Sequence, residues 1–275
     1  MIDPALEVRY AFLRPGQAVA RRAVCPVGYV PLGNLEWHGE HNPLGADTLQ
    51  AEGLSILAAQ RGGGLAFPPL WYAEPKRECM EYLPHLREPL AAKMELDPEL
   101  FREEALPSDA RAAAAFYQQL LVSILYQLES LGVRVGVLIA GHYPLIAHAT
   151  IAVQRFAAEE RFRRHPEPPM VPWACLEPDL RFQLEGARAG DHGGKHETSN
   201  CLALHPHTVD LALTRDREIV GAGKNAGEAT AEYGRASLGA MADLMVRETR
   251  HRLEHPDWYC GASYVMQTGK WKGTP

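Results

Sequence analysis

Apolar positions along this chain recur with two different periods, and the order of those periods predicts a parallel α/β arrangement. Val27 to Leu32 is a short β-prone run closed by Gly33. A helix is expected over Thr48 to Arg61, stopped by Gly62-Gly63-Gly64. Ala66 to Trp71 reads as a further strand interrupted by Pro68-Pro69, and the Pro- and Glu-rich stretch beyond it, to residue 107, is too weakly periodic to assign. From Ser108-Asp109, a capping pair, Leu121, Ile124, Leu125, Leu128 and Leu131 recur at three- and four-residue spacing until Gly132. Val133 to Ala140 is then almost wholly apolar, as in a strand buried on both faces. Gly141-His142-Tyr143-Pro144 leads into a helix expected over 145–164, Met170 to Leu176 is a strand candidate, and Gly227 to Glu254 reads as a long helix with Leu238, Met241, Leu244 and Met245 on one face. Helices alternating with strands predict a three-layer α/β/α fold around a mostly parallel sheet. With no repeat, low-complexity tract or linker, residues 1–275 are expected to form one domain.

Composition narrows the function classes. A hydrophobic content of 46% supports a sizeable core, and a formal charge of −6 gives no basic face for nucleic acid. The basic run Arg161-Phe162-Arg163-Arg164-His165 is flanked by Glu159, Glu160 and Glu167 and reads as a solvated helix end. No apolar run approaches the roughly 18 residues of a membrane span, and Met1-Ile2-Asp3-Pro4 does not resemble a signal peptide. Five scattered cysteines (25, 79, 175, 201 and 260) without a CxxC pair predict reduced thiols and a cytoplasmic setting.

The chemistry concentrates just past the strand ends, where ligands bind in open α/β sheets. The segment from Gly33 to Thr48, GNLEWHGEHNPLGADT, places Glu36, His38 and Asp47 on a glycine-rich turn after the first strand. In extended backbone Glu36 and His38 project to the same side, and Pro43-Leu44-Gly45 can turn Asp47 back toward them. His142 follows a second strand end. Imidazole nitrogen mixed with carboxylate oxygen is the donor set of zinc and manganese sites, and a carboxylate such as Asp47 can bridge paired cations. A third cluster, Gly190-Asp191-His192-Gly193-Gly194-Lys195-His196-Glu197-Thr198-Ser199, offers His192 as a proton-transfer group with Glu197 as its acidic neighbour. Its plainer alternative is a surface turn before a helix starting near Thr198-Ser199. His205 and His207 around Pro206 fit a loop better than a ligand pair. Gly221 to Gly227 lacks the spacing of a phosphate loop.

The three clusters, in this order, resemble the creatininase (creatinine amidohydrolase) family over roughly residues 27–250. The family pattern Gly-Ser-x-Glu-x-His-Gly-x-His-x-Pro-x-Gly-x-Asp-Thr matches the opening segment, its Asn-Gly-His turn matches Ala140-Gly141-His142, and its His-Ala-Gly-x-x-Glu-Thr-Ser loop matches the stretch from His192 to Ser199. The resemblance implies Glu36, His38, Asp47 and His142 as metal ligands, His192 and Glu197 as catalytic residues, zinc or manganese as cofactor, and a homo-oligomer, a hexamer by family habit. Creatininase itself carries His-Tyr-Glu-Asn after the central strand, its Glu completing a second metal site. Here that place is Pro144, so a second cation needs Glu40, His41 or Glu197 instead. Asn34 and Ala140 also stand where the family has Ser and Asn. These departures count against creatinine as substrate and leave the metal core in place.

The expected activity is hydrolysis of a C–N bond in a small cyclic amide or formamide-type substrate, with Tyr143 a candidate substrate contact. The alternative keeps the metal and opens the ring of an oxidised inositol or sugar. A catalytically silent metal-binding protein is the third reading.

Overall fold

The computed structural model describes residues 1–72, 84–101, 110–159, 169–176, 191–214, 221–223 and 225–259. Among these residues the sheet has four parallel strands: β1 (Val27–Leu32), β2 (Leu65–Ala66), β3 (Val135–Ala140) and β4 (Val171–Leu176), in the order β2-β1-β3-β4. Seven helices accompany it among the described residues: α1 (Pro15–Val24), α2 (Ala46–Gly62), α3 (Pro84–Lys93), α4 (Ala110–Ser130), α5 (Leu145–Ala157), α6 (Lys195–Leu204) and α7 (Ala231–Glu254). Every residue of β1 and β3 is buried, so neither strand shows the polar alternation of a one-sided sheet.

Alternate strand positions feed two cores. Val27, Tyr29, Val135, Val137, Ile139 and Val171 pack with α2 and α7 residues such as Leu54, Leu57, Leu238 and Met241. Val30, Leu32, Leu138, Ala140 and Leu176 pack on the opposite face with Leu121, Leu125 and Leu128 of α4 and with Ala149, Val153 and Phe156 of α5. Each fully buried leucine contributes about 1.5–3 kcal/mol relative to an exposed one. Helices on both faces of a parallel sheet make the expected α/β/α layering.

Several boundaries differ from the sequence expectation for identifiable reasons. The second strand is only Leu65–Ala66, because Pro68 and Pro69 have no N–H to continue a ladder. Pairing resumes beyond them, where Gly33 N donates to Leu70 O at 2.9 Å and Leu70 N donates to Pro31 O at 3.0 Å. Helix α2 starts two residues before Thr48. Helix α5 ends at Ala157, just past Phe156, the last buried apolar residue of its stripe. Helix α7 starts at Ala231 because Thr230 caps it, its hydroxyl accepting from Tyr233 N at 3.1 Å. The Ser108-Asp109 cap, residues 160–165 and Cys79 and Cys260 lie outside the described residues. Cys25 is half-buried, and Cys175 and Cys201 are buried. Among the described residues no helix is long and apolar enough to cross a membrane.

The register decides where the site forms. Leu32 pairs with Ala140 and Ala140 with Leu176, so the three long strands end flush. The segment after β1 and the turn after β3 therefore leave the sheet side by side.

Candidate metal centre

Asp47 sits in the first turn of α2 and Glu197 in the first turn of α6. There the unpaired backbone N–H groups and the helix dipole favour negative charge. Helix α6 is fastened by Asp191, whose Oδ2 accepts from His196 N at 2.7 Å and whose Oδ1 accepts from Glu197 N at 3.4 Å. Two glycines let these parts close up. A Cβ on Gly141 would strike the Asp47 carbonyl oxygen, and Gly193, at φ 60°, would place one 2.6 Å from the His38 carbonyl oxygen.

The result brings residues from four segments together in the interior. His38 Nε2 lies 3.0 Å from Asp47 Oδ1 and 3.4 Å from Glu197 Oε2. His142 Nδ1 lies 2.9 Å from Glu36 Oε2 and 3.0 Å from Asp47 Oδ2. Asp47 thus turns one oxygen toward each imidazole. Two overlapping ligand groups follow, Glu36–Asp47–His142 and His38–Asp47–Glu197, each with one ligand atom per residue within 4.8 Å of the others. His38 is fully buried, and Glu36, Asp47, His142 and Glu197 nearly so.

The charge balance of this interior calls for a cation. Three buried carboxylates face two imidazoles, and neither Glu36 oxygen has a hydrogen-bond partner despite the short distance to His142. Buried charge of this kind needs a counter-ion. Burial opposes a charged His38, but Asp47, with Glu197 and Glu36, outweighs it and raises His38 to about 10. Burial pushes the Glu197 carboxyl up to about 8, against the pull of His38. Asp47 is also penalised by burial, yet His38 and His142 hold it well below the usual carboxylate range. Oxygen and imidazole donors without thiolate suit zinc or manganese.

His38 Nδ1 lies 3.0 Å from the Glu36 carbonyl oxygen. A carbonyl only accepts, so Nδ1 carries the proton and Nε2 is the nitrogen presented to the carboxylates. His192 stacks obliquely on His38, with ring centroids 4.3 Å apart, and its Nε2 donates to Trp37 O at 2.7 Å. Burial, then the His38 charge, lowers the His192 pKa and favours the neutral ring at pH 7.

Tyr143 is 71% exposed beside His142, and Pro144 precedes α5. Glu40 faces outward and pairs with Lys93 at 3.2 Å. His41 binds Gly193 O at 3.0 Å and Thr198 Oγ1 at 3.1 Å, and Asn42 Nδ2 donates to Thr198 Oγ1 at 2.9 Å. These contacts tie the His38 segment to the Glu197 helix. Of the three substitutes considered for the missing family Glu, Glu197 is the one that joins a ligand group. His205 and His207 belong to none. Sequence reasoning singled out neither Asp191 as the α6 cap nor Asn42 and Thr198 as fasteners. The Asp191-to-Glu197 spacing, a carboxylate shortly before a helix start, was the available signal for the cap.

A family model described as Creatininase: creatinine amidohydrolase matches residues 15–249. The chain belongs to the creatininase family. Solved creatininases share its fold. A crystal structure of creatinine amidohydrolase aligns with a TM-score of 0.66 at 21% identity, covering 90% of this chain and 98% of its own. A manganese form of creatininase aligns at 0.65 and 20% identity, covering 90% and 99%. A protein from Bacteroides fragilis described as a putative creatinine amidohydrolase aligns at 0.61 and 18% identity, covering 90% and 97%. A Zn–Zn form of a creatininase variant is also similar, at 0.65 and 21% identity over 90% of this chain and 98% of its own. No curated protein matches this chain. Membership of the creatininase family makes the chain a hydrolase by class, and its clustered imidazoles and carboxylates are of the kind that can hold divalent cations.

Proposed function

We propose that this chain is a metal-dependent hydrolase that cleaves a C–N bond of a small cyclic amide or formamide-type substrate. The observation that carries this reading is the division of Asp47 between two ligand groups, the arrangement a bridging carboxylate needs. Glu36, Asp47 and His142 would hold one divalent cation, and His38, Asp47 and Glu197 a second, with zinc or manganese as the candidates. When bound, such cations polarise a substrate carbonyl and acidify water.

The chain's own residues supply the rest. His192 keeps its Nε2 proton on Trp37 O, so Nδ1 is the nitrogen that takes a proton and returns it to the leaving nitrogen. His41 and Asn42 hold the two halves of the site in register through Gly193 and Thr198. Tyr143, exposed beside His142, would meet a substrate arriving from solvent. Pro144 supplies no acid where creatininase has Glu, which favours a substrate other than creatinine. A homo-oligomer and a cytoplasmic location belong to the same reading.

The test is removal of metal by chelator, followed by Zn²⁺ or Mn²⁺ return, with turnover measured on panels of cyclic amides, formamides and keto-inositols. Loss and recovery on an amide or formamide supports the proposal. Turnover confined to keto-inositols moves the activity to ring opening beside a ketone. Full activity in verified metal-free protein refutes the metal mechanism.

A further inference from the structure

Glu36, His38 and His192 form a third set of potential cation ligands, distinct in membership from the two that share Asp47. One ligand atom from each lies within 4.8 Å of the others. We infer that a single divalent cation is held first by Glu36, His38 and His192, and that filling the two Asp47 groups releases His192. This rests on the metal-binding reading of the same site.

Three observations support it. Both imidazoles anchor one ring nitrogen on a main-chain carbonyl: His38 Nδ1 on Glu36 O at 3.0 Å, His192 Nε2 on Trp37 O at 2.7 Å. A ligating histidine is normally fixed in this way, its second nitrogen left for the metal. The two rings are tilted against one another, centroids 4.3 Å apart and planes inclined by 33°, and a nitrogen of each lies within 4.8 Å of the other and of a Glu36 oxygen. Glu36, with only 1% of its surface exposed, has neither carboxylate oxygen in a hydrogen bond, and while Oε2 lies 2.9 Å from His142 Nδ1, Oε1 has no such neighbour among the ion pairs of the described residues. Two histidines and one carboxylate are a recurrent donor set for divalent first-row metals, with coordination positions left over.

The sets exclude one another. The Nε2 lone pair of His38 serves one cation, so it cannot belong to the His192 set and the Glu197 set together. With one cation present, His192 is occupied as a ligand and cannot move a proton. With two, His38 goes to Asp47 and Glu197, Glu36 goes to Asp47 and His142, and His192 is free. Activity should therefore lag behind metal loading through the first equivalent and rise during the second.

The experiment titrates metal-free protein with Co²⁺ and follows its ligand-field absorption, in the wild type and in His192→Ala and His192→Gln. The wild type is expected to show one band shape for the first equivalent and another for the second. Both variants should bind the first equivalent about tenfold or more weakly, as for loss of support to a metal ligand, and show no change of shape. Binding of two equivalents by the variants, through Glu36, His38, Asp47, His142 and Glu197, verifies that they are folded. Identical first-equivalent spectra and affinities in all three proteins overturn the inference. Turnover is scored separately. A His192-dependent spectrum without amide or formamide hydrolysis refutes the proposed reaction alone, and hydrolysis without that spectrum refutes the His192 set alone.

Discussion

Replacing Gly141 by alanine tests whether the close approach of β3 and α2 builds the site. The added Cβ would run into the Asp47 carbonyl oxygen and stand 3.0 Å from the Asp47 carbonyl carbon and 3.1 Å from Ala51 Cβ. These are mostly atoms of helix backbone, which cannot swing aside as a side-chain tip can. Carbon and carbonyl oxygen rest at about 3.3 Å or more, so relief requires the first turn of α2 to retreat from β3 by about 1 Å. Overpacking of this kind costs about 1–3 kcal/mol. The retreat would carry Asp47 from its 3.0 Å approaches to His38 and His142, and misplacement of about 1 Å at a reacting site costs on the order of 10²-fold in rate. Urea unfolding of metal-free protein, elemental analysis and kcat on the best substrate measure the three effects. Gly16→Ala is the control, since a Cβ there meets nothing within 4 Å, and its stability should stay within about 0.5 kcal/mol. If Gly141→Ala kept wild-type stability and two metal equivalents, the argument from close approach would fail.

Metal binding should strengthen with pH. His38, raised to about 10 by Asp47 and its carboxylate neighbours against the effect of burial, and Glu197, raised to about 8 by burial, hold protons that a cation must displace. Affinity therefore rises between neutrality and about pH 10, and loading at pH 7 releases protons. Calorimetry in two buffers of different ionisation enthalpy detects that release, and equal heats in both would contradict it. Asp191→Ala removes the acceptor for His196 N and Glu197 N. A loss of about 0.5–2 kcal/mol is expected, together with weaker cation binding. Asp191→Asn should retain most of both, and thermal unfolding with metal titration compares the three proteins.

The parts of the fold legible in the sequence are those whose signal is local. Val27–Leu32 is bounded by Gly33 and filled with β-prone residues, and α4 repeats its leucines at helical spacing up to Gly132. The boundaries that moved are set by distant contacts. Helix α6 starts at Lys195, before the Thr198-Ser199 pair that looks like its cap, because Asp191 reaches forward from outside the helix. At β2 the apolar run suggested a strand through Trp71, but two prolines remove the donors that a ladder needs, and only an isolated bridge from Leu32 to Leu70 remains.

The site shows the same division at finer scale. Period-two geometry puts Glu36 and His38 near one another, as the structure does, but side-chain alternation cannot say which partners each of them meets. Asp47, delivered by the first turn of α2, turns one oxygen to His38 and the other to His142, which also faces Glu36. Glu197 is separated from Asp47 by 150 positions, and only the packing of α6 on α2 and the tight contact of Gly193 with His38 bring it within 3.4 Å of His38. Pro144 stands after β3, and the carboxylate that faces His38 and Asp47 in this interior is Glu197, arriving on a different helix. A cation in this interior needs nearby negative oxygen more than it needs that oxygen from a particular strand end. Sequence spacing offers Glu197 as a candidate but does not show its approach to His38, because that proximity comes from packing.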